Sequence, residues 1–183
     1  MLRRVLGLAV AALTIYTPAQ IPCVAAADPP APELSFLYTA FANCKGSVMN
    51  EDGPRGTRNA IPIVGGNFTG PRMSGQILDL GADWGIVDPK TGIFSADTRY
   101  NLRTDDGADI FVQTSGPTSP SGELHLRLLF ETGHENYYWL NNIVAIGTLT
   151  QVESVDDLSV LRIDAWNVSR HQQRRWNFND EQS

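Results

Sequence analysis

The chain has 183 residues, with 14 Lys+Arg against 20 Asp+Glu and a formal net charge of −6. An acidic chain of this kind excludes nucleic acid and anionic membrane surfaces as partners, because both select basic surfaces. Two cysteines are too few for a disulfide-built scaffold, so the fold has to rest on a hydrophobic core.

Residues 1–27 read as a secretory signal peptide. Arg3 and Arg4 give a positive start, Val5 to Ile15 an apolar run, and Val24, Ala25 and Ala26 small residues for cleavage. The run is shorter than the ~20 residues of a membrane span, so no membrane association is expected after cleavage. Removing residues 1–27 takes Lys+Arg from 14 to 12 and the charge from −6 to −8, and it removes Cys23. Cys44 is then either a buried free thiol or a bridge between two chains of a homodimer. About 155 remaining residues suit one domain. Asn67-Phe68-Thr69 and Asn167-Val168-Ser169 are glycosylation sequons, expected on the surface of a secreted or secretory-lumen chain.

Residues 28–33, rich in proline, form an extended lead-in. Leu34, Phe36 and Tyr38 alternate with Ser35, Leu37 and Thr39 and predict a first strand. Lys45 to Asn59 is polar with Gly and Pro, and reads as a loop. From Ile61 to Gly107 short apolar runs are cut by Gly, Pro and Asp every eight to twelve residues, the rhythm of antiparallel strands with tight turns. The clearest alternation puts Thr98, Tyr100, Leu102 and Thr104 on one face and Asp97, Arg99, Asn101 and Arg103 on the other. Ser115 to Gly122 is a loop by composition, and Leu124, Leu126, Leu128 and Phe130 make an apolar face opposite His125, Arg127 and Glu131. Tyr137 to Ile146 and Leu158 to Val168 complete the strands. About nine or ten short strands with no helical crossover predict an all-β chain: a single antiparallel barrel, a lipocalin-like cup, over residues 34–168. Residues 169–183 are a polar tail in which Arg170, Arg174 and Arg175 are solvated.

No G-x-S-x-G, H-E-x-x-H or C-x-x-C motif occurs, and His125, His134 and His171 lack ligand spacing, so no metal or cofactor is expected. What the chain offers is an amphipathic set suited to a planar, oxygenated apolar ligand: Trp84, Tyr100, Tyr137, Tyr138 and Trp139, with Asp83, Arg99, Thr104, His125 and Arg127. Within it Tyr100, Arg99 and Trp84 are the candidate catalytic residues. Asp83, Thr104, His125, Arg127, Tyr137 and Trp139 are the candidate substrate contacts.

The segments PIVGGNFTGPRMSG, GADW, DTRYNLRTDDGA, FETG and YYWLNN, in this order, resemble the β-barrel family called domain of unknown function 3237, from about Leu34 to Val168. The chain departs from the usual bacterial pattern in its secretion signal, its Asn67 sequon, its short Ser115–Gly122 connection and its leucine-rich Leu124–Leu129. Secreted fungal chains of this kind are similar to hetero-Diels–Alder pericyclases of tropolone–sesquiterpene biosynthesis. The resemblance implies a cofactor-free enzyme coupling a tropolone quinone methide to a humulene-type terpene. In such an enzyme a pose that holds the reactants together supplies most of the acceleration, and a Tyr or Arg donor at the heterodiene oxygen adds to it. The same cup also fits a non-catalytic carrier of a small apolar metabolite, because shape alone does not decide chemistry.

Overall fold

The computed structural model describes residues 28–155 and 157–169. The expected signal peptide and the tail beyond Ser169, with Cys23, His171 and the three tail arginines, lie outside the described residues.

Ten strands form one antiparallel sheet: β1 (Glu33–Lys45), β2 (Met49–Gly53), β3 (Gly56–Thr69), β4 (Ser74–Asp83), β5 (Ile86–Val87), β6 (Phe94–Thr104), β7 (Asp109–Pro117), β8 (Leu124–Glu131), β9 (Ala145–Val155) and β10 (Leu158–Ser169). Each long strand pairs with the next long strand in sequence, and β1 pairs with both β10 and β3, so eight strands close into a ring. Closure removes the exposed edges that an open sheet would present. It needs Gly66: with φ at 136°, a Cβ there would sit 2.1 Å from the Phe41 carbonyl oxygen on β1. The short β2 and β5 lie outside the ring, on β3 and on β3 and β6.

Four expectations need correction. The supposed loop from Lys45 to Asn59 contains β2 and the start of β3, joined through Gly53–Gly56. Every residue of β2 is exposed, so no apolar alternation marks it. The segment from Tyr137, expected as a strand, is mostly a 3-10 helix over Glu135–Asn142. Tyr137 and Leu140, three apart, share its buried face, as a repeat of about three residues per turn requires. Asn141 ties that helix to the end of β8, accepting from Thr132 N–H at 2.9 Å and donating to the Thr132 carbonyl at 2.9 Å. The third correction concerns β1. A register shift between Phe36 and Tyr38 turns the strand over, so Leu34 and Phe36 are exposed while Tyr38 is fully buried. The fourth is the loop expected from Ser115 to Gly122: β7 runs into it, as far as Pro117.

The core is the barrel interior, and it is graded along its axis. Toward the end covered by the 3-10 helix it holds Leu37, Tyr38, Phe68, Met73, Leu102, Ile110, Val112, Phe130 and Leu140. Toward the other end the inward positions are mostly small: Ala42, Cys44, Ala96, Thr98 and Thr114. An eight-stranded ring is just wide enough to be filled by side chains or to hold one small ligand. Here the large side chains occupy one half and smaller buried ones the other.

Candidate functional site in the barrel lumen

The strand alternation that makes β6 amphipathic delivers Thr98, Tyr100, Leu102 and Thr104 to the interior, as the sequence pattern predicts. Tyr100 is 2% exposed and lies at the level where the large-residue half gives way to the small-residue half. Tyr38 reaches the same level from β1. Its ring is held edge-on by Phe68 at 5.8 Å and Phe130 at 6.2 Å between centroids. The two hydroxyls lie near one another, yet neither has a well-formed hydrogen-bond partner in the protein. Burial raises both phenols, Tyr100 to about 12 and Tyr38 well above the usual tyrosine value, the latter also through its neighbour Tyr100. Both therefore stay protonated near neutral pH and are proton donors.

Asp83, the last residue of β4, joins this polar floor from the wall. It pairs across the sheet with Ile61 on one side and Thr98 on the other. Its Oδ1 accepts from the Asp97 N–H at 2.8 Å, and the Thr98 hydroxyl bonds to the same carboxylate. Burial nevertheless dominates and raises the Asp83 carboxyl above the ordinary aspartate range, with Arg58 opposing that shift. Cys44 is a free, buried thiol pushed up to about 11, first by burial and then by Asp83. It faces the interior and is buried, out of reach of a bridge to a second chain through this residue. At the mouth, Ile61, Phe94, Leu124, Leu149 and Leu161 form a half-buried apolar rim packed on this core. The arrangement is an apolar collar above two donors and a carboxyl, which suits holding a flat apolar molecule by its oxygen.

The other expected site residues do not converge there. Arg99 is on the outer face, paired with Asp97 at 2.9 Å and about 6.0 Å from the ring centroid of exposed Trp84. Alternation places it opposite Tyr100, so Arg99 and Trp84 line an outer cavity of about 290 Å³ with Leu80 and Phe111 rather than the lumen. His125 and Arg127 are exposed on the outside of β8, for the same reason. Thr104 is inward but committed to its turn, donating to Asp106 at 2.5 Å and accepting from the Ala108 N–H at 2.8 Å. Tyr137 and Trp139 belong to the helix that covers the far end: Tyr137 bonds to Asp106, and the Arg72 guanidinium stacks on Trp139 at 3.8 Å. Exposed Tyr138 lines an outer groove with Leu129 and Phe111. Tyr100 and Asp83 are thus joined by Tyr38, Cys44, Thr98 and Thr114, which are not among the site residues expected from the sequence. The face of Tyr38 is hidden by the β1 register shift, and small residues such as Thr98 and Thr114 carry no signal beyond alternation.

Among the described residues no cluster of three or more His, Cys, Asp or Glu is placed to hold a metal ion, and no helix is long and apolar enough to cross a membrane.

Comparison with known proteins gives a consistent picture. A UPF0311 protein of Rhodopseudomonas palustris is 31% identical over 136 residues, 65% of this chain and 88% of its own length. The hydroalkoxylation enzyme phnH of Penicillium herquei is 28% identical over 142 residues, 74% of this chain and 87% of its own. The crystal structure of a β-barrel-like protein from Acinetobacter baumannii superposes with a TM-score of 0.67 at 32% identity, covering 78% of this chain and 99% of that one. This chain is therefore related to a fungal enzyme as well as to bacterial proteins. Residues 32–168 match the family described as Protein of unknown function (DUF3237), and the chain belongs to that family.

Proposed function

We propose that the chain is an enzyme of carbon–oxygen bond formation, working in the lumen on a planar oxygenated substrate and an alkene. The observation that carries this reading is the Tyr100 hydroxyl, fully buried beside the Tyr38 hydroxyl and without a well-formed hydrogen bond, beneath an apolar rim. A preorganised donor in a site of low dielectric is worth most where charge develops on a substrate oxygen, and the collar holds the hydrocarbon against it. In its finer form the reaction is the hetero-Diels–Alder coupling of a tropolone quinone methide with a humulene-type sesquiterpene, with Tyr100 donating to the heterodiene oxygen. No cofactor is needed for that step: two σ bonds form at the expense of two π bonds, and no atom is lost.

The relationship to a hydroalkoxylation enzyme favours a second reading within the same class. There a substrate O–H adds across a C=C bond, the oxygen bonding to one carbon and the proton passing to the other. In this reading Asp83, half-buried beside Thr98, relays that proton. The deciding experiment supplies purified protein with a quinone methide generated in place and a humulene-type alkene, and separately with an alkenyl phenol. Single-enantiomer product, lost in Tyr100→Phe, supports the enzyme. Racemic product at the protein-free rate from both leaves a carrier of apolar metabolites.

The secretory reading goes with this proposal. Asn67 is exposed on the outer side of β3, opposite Phe41 and Gln76 across the sheet, where a glycan would not obstruct the lumen. Asn167, half-buried on β10, is the second site. A loss of mass on enzymatic deglycosylation of protein from a eukaryotic secretory host tests both, and secretion without any glycan would refute the sequon assignments.

A further inference from the structure

The geometry points to the Tyr38 and Tyr100 hydroxyls acting together as a two-donor cradle for one ligand oxygen, the carbonyl of a neutral, conjugated ring ketone. This deepens the proposed function and rests on the lumen being its substrate site. It adds a residue, Tyr38, and a substrate class that the reaction type alone does not specify.

Most buried hydroxyls in folded proteins have a well-formed hydrogen bond, and one left without it destabilises the fold. Here two hydroxyls from strands far apart in sequence come within reach of one another without forming a well-formed bond. Phenylalanine would fill both positions without that cost. Each hydroxyl carries one proton to donate, and a single carbonyl oxygen has two lone pairs to accept them.

The surroundings select the kind of oxygen. Asp83 and Cys44 lie close enough to the pair to act on it or on each other electrostatically, and both are acids. Arg58, the nearest cation acting on Asp83, holds the Trp84 carbonyl at the rim. An anionic ligand would meet no cation at the floor, and a neutral carbonyl avoids that conflict. Conjugation concentrates charge on the carbonyl oxygen and flattens the ring. The wall beside Tyr38 is aromatic, and Ala42 and Ala96 are among the small buried side chains of the barrel interior.

The test uses 1-indanone as probe and its carbonyl-free counterpart indane as control. Infrared difference spectroscopy follows the indanone carbonyl stretch on titration into the purified protein. The cradle predicts a bound stretch below the frequency in water, because two preorganised donors polarise the bond more than mobile water does. It also predicts that indane binds at least about tenfold more weakly. Tyr38→Phe and Tyr100→Phe each move the stretch part of the way back, and the double variant returns it to its value in an apolar solvent. These changes remove hydroxyls that have no well-formed hydrogen bond, so unchanged far-ultraviolet circular dichroism is expected. A bound stretch at or above the water value overturns the cradle. So does a shift insensitive to Tyr38→Phe, or the absence of binding, in which case the hydroxyls hold a water or only each other. The readout needs no turnover: a shifted stretch in a protein that forms no C–O bond defeats the enzyme reading alone, and turnover without a shift defeats the cradle alone.

Discussion

The Tyr137 hydroxyl donates to Asp106 Oδ1 at 2.9 Å, and this bond ties the 3-10 helix to the turn between β6 and β7. The same oxygen accepts from the Thr104 hydroxyl, so one carboxylate joins a strand end, a turn and the helix. The Thr104 bond first, and the Tyr137 bond next, hold the Asp106 carboxyl below the ordinary aspartate range. A depressed carboxylate stabilises the fold above its unfolded value of about 3.9, and that contribution is lost as pH falls through the folded value. Tyr137→Phe should therefore speed amide exchange across Glu135–Asn142 at neutral pH and shrink the further loss of protection below about pH 4. Exchange followed by mass spectrometry measures both. An unchanged acid response would mean that the helix is held by Leu140 and Asn141 alone.

Tyr100→Phe separates structure from function. The hydroxyl makes no well-formed hydrogen bond in the fold, so its removal should leave stability unchanged or raise it by about 1 kcal/mol, read from urea denaturation at constant m-value. Product formation should fall by about 10²-fold, the scale for loss of one donor to a developing oxyanion. A clear loss of stability would show that Tyr100 is a structural hydroxyl after all.

Much of this was legible in the chain. Alternation along Thr98–Thr104 placed Tyr100 inward and Arg99 outward, because a strand surrounded by a closed sheet has to obey period two. The ring itself followed from turn spacing. Legibility stopped where period two is broken or uninformative. One irregular residue between Phe36 and Tyr38 inverts the faces of β1, and local sequence does not announce it. The polar strand β2 has no buried face to reveal it. Asp83 was legible as a polar residue at a strand end, but its inward turn depends on the Asp97 N–H and Thr98 hydroxyl, supplied by β6 fourteen and fifteen residues later.

Gly85 shapes the mouth. It is buried under the Phe94 ring, and a Cβ there would sit 2.2 Å from the ring. Gly85→Ala must displace Phe94 from the rim, where it packs beside the small-residue half of the lumen. Ligand affinity should change at least about tenfold, with a stability loss of about 1–3 kcal/mol typical of overpacking. Combining it with Phe94→Leu should recover most of that stability. Failure of the double variant to recover would place the strain in the backbone rather than in the ring.

Cys44 should be inert in the folded protein. At pH 8 a thiol with a pKa of about 11 is ionised to about one part in a thousand, and access is also restricted. Alkylation by iodoacetamide should therefore run at the rate of opening, and accelerate to that of a free thiol in denaturant. Lumen ligands should slow it further. Fast alkylation of the native protein would mean that the rim stands open in solution.

Asp83 gives the sharpest pH signature. Burial raises its carboxyl in the fold, so between the unfolded value of about 3.9 and the raised folded value the native state binds the extra proton. Stability then falls as pH rises through that window, the reverse of the Asp106 case. Asp83→Asn keeps an oxygen for the Asp97 N–H and removes the ionisation. The variant should match the wild type below about pH 4 and exceed it at pH 7, giving a flatter stability profile above the window. If hydroalkoxylation is the reaction, the same variant loses turnover at every pH, whereas a hetero-Diels–Alder step, which moves no proton, survives it. Urea midpoints from pH 3 to pH 8, set beside product assays on the same samples, separate the electrostatic role of Asp83 from its chemical one.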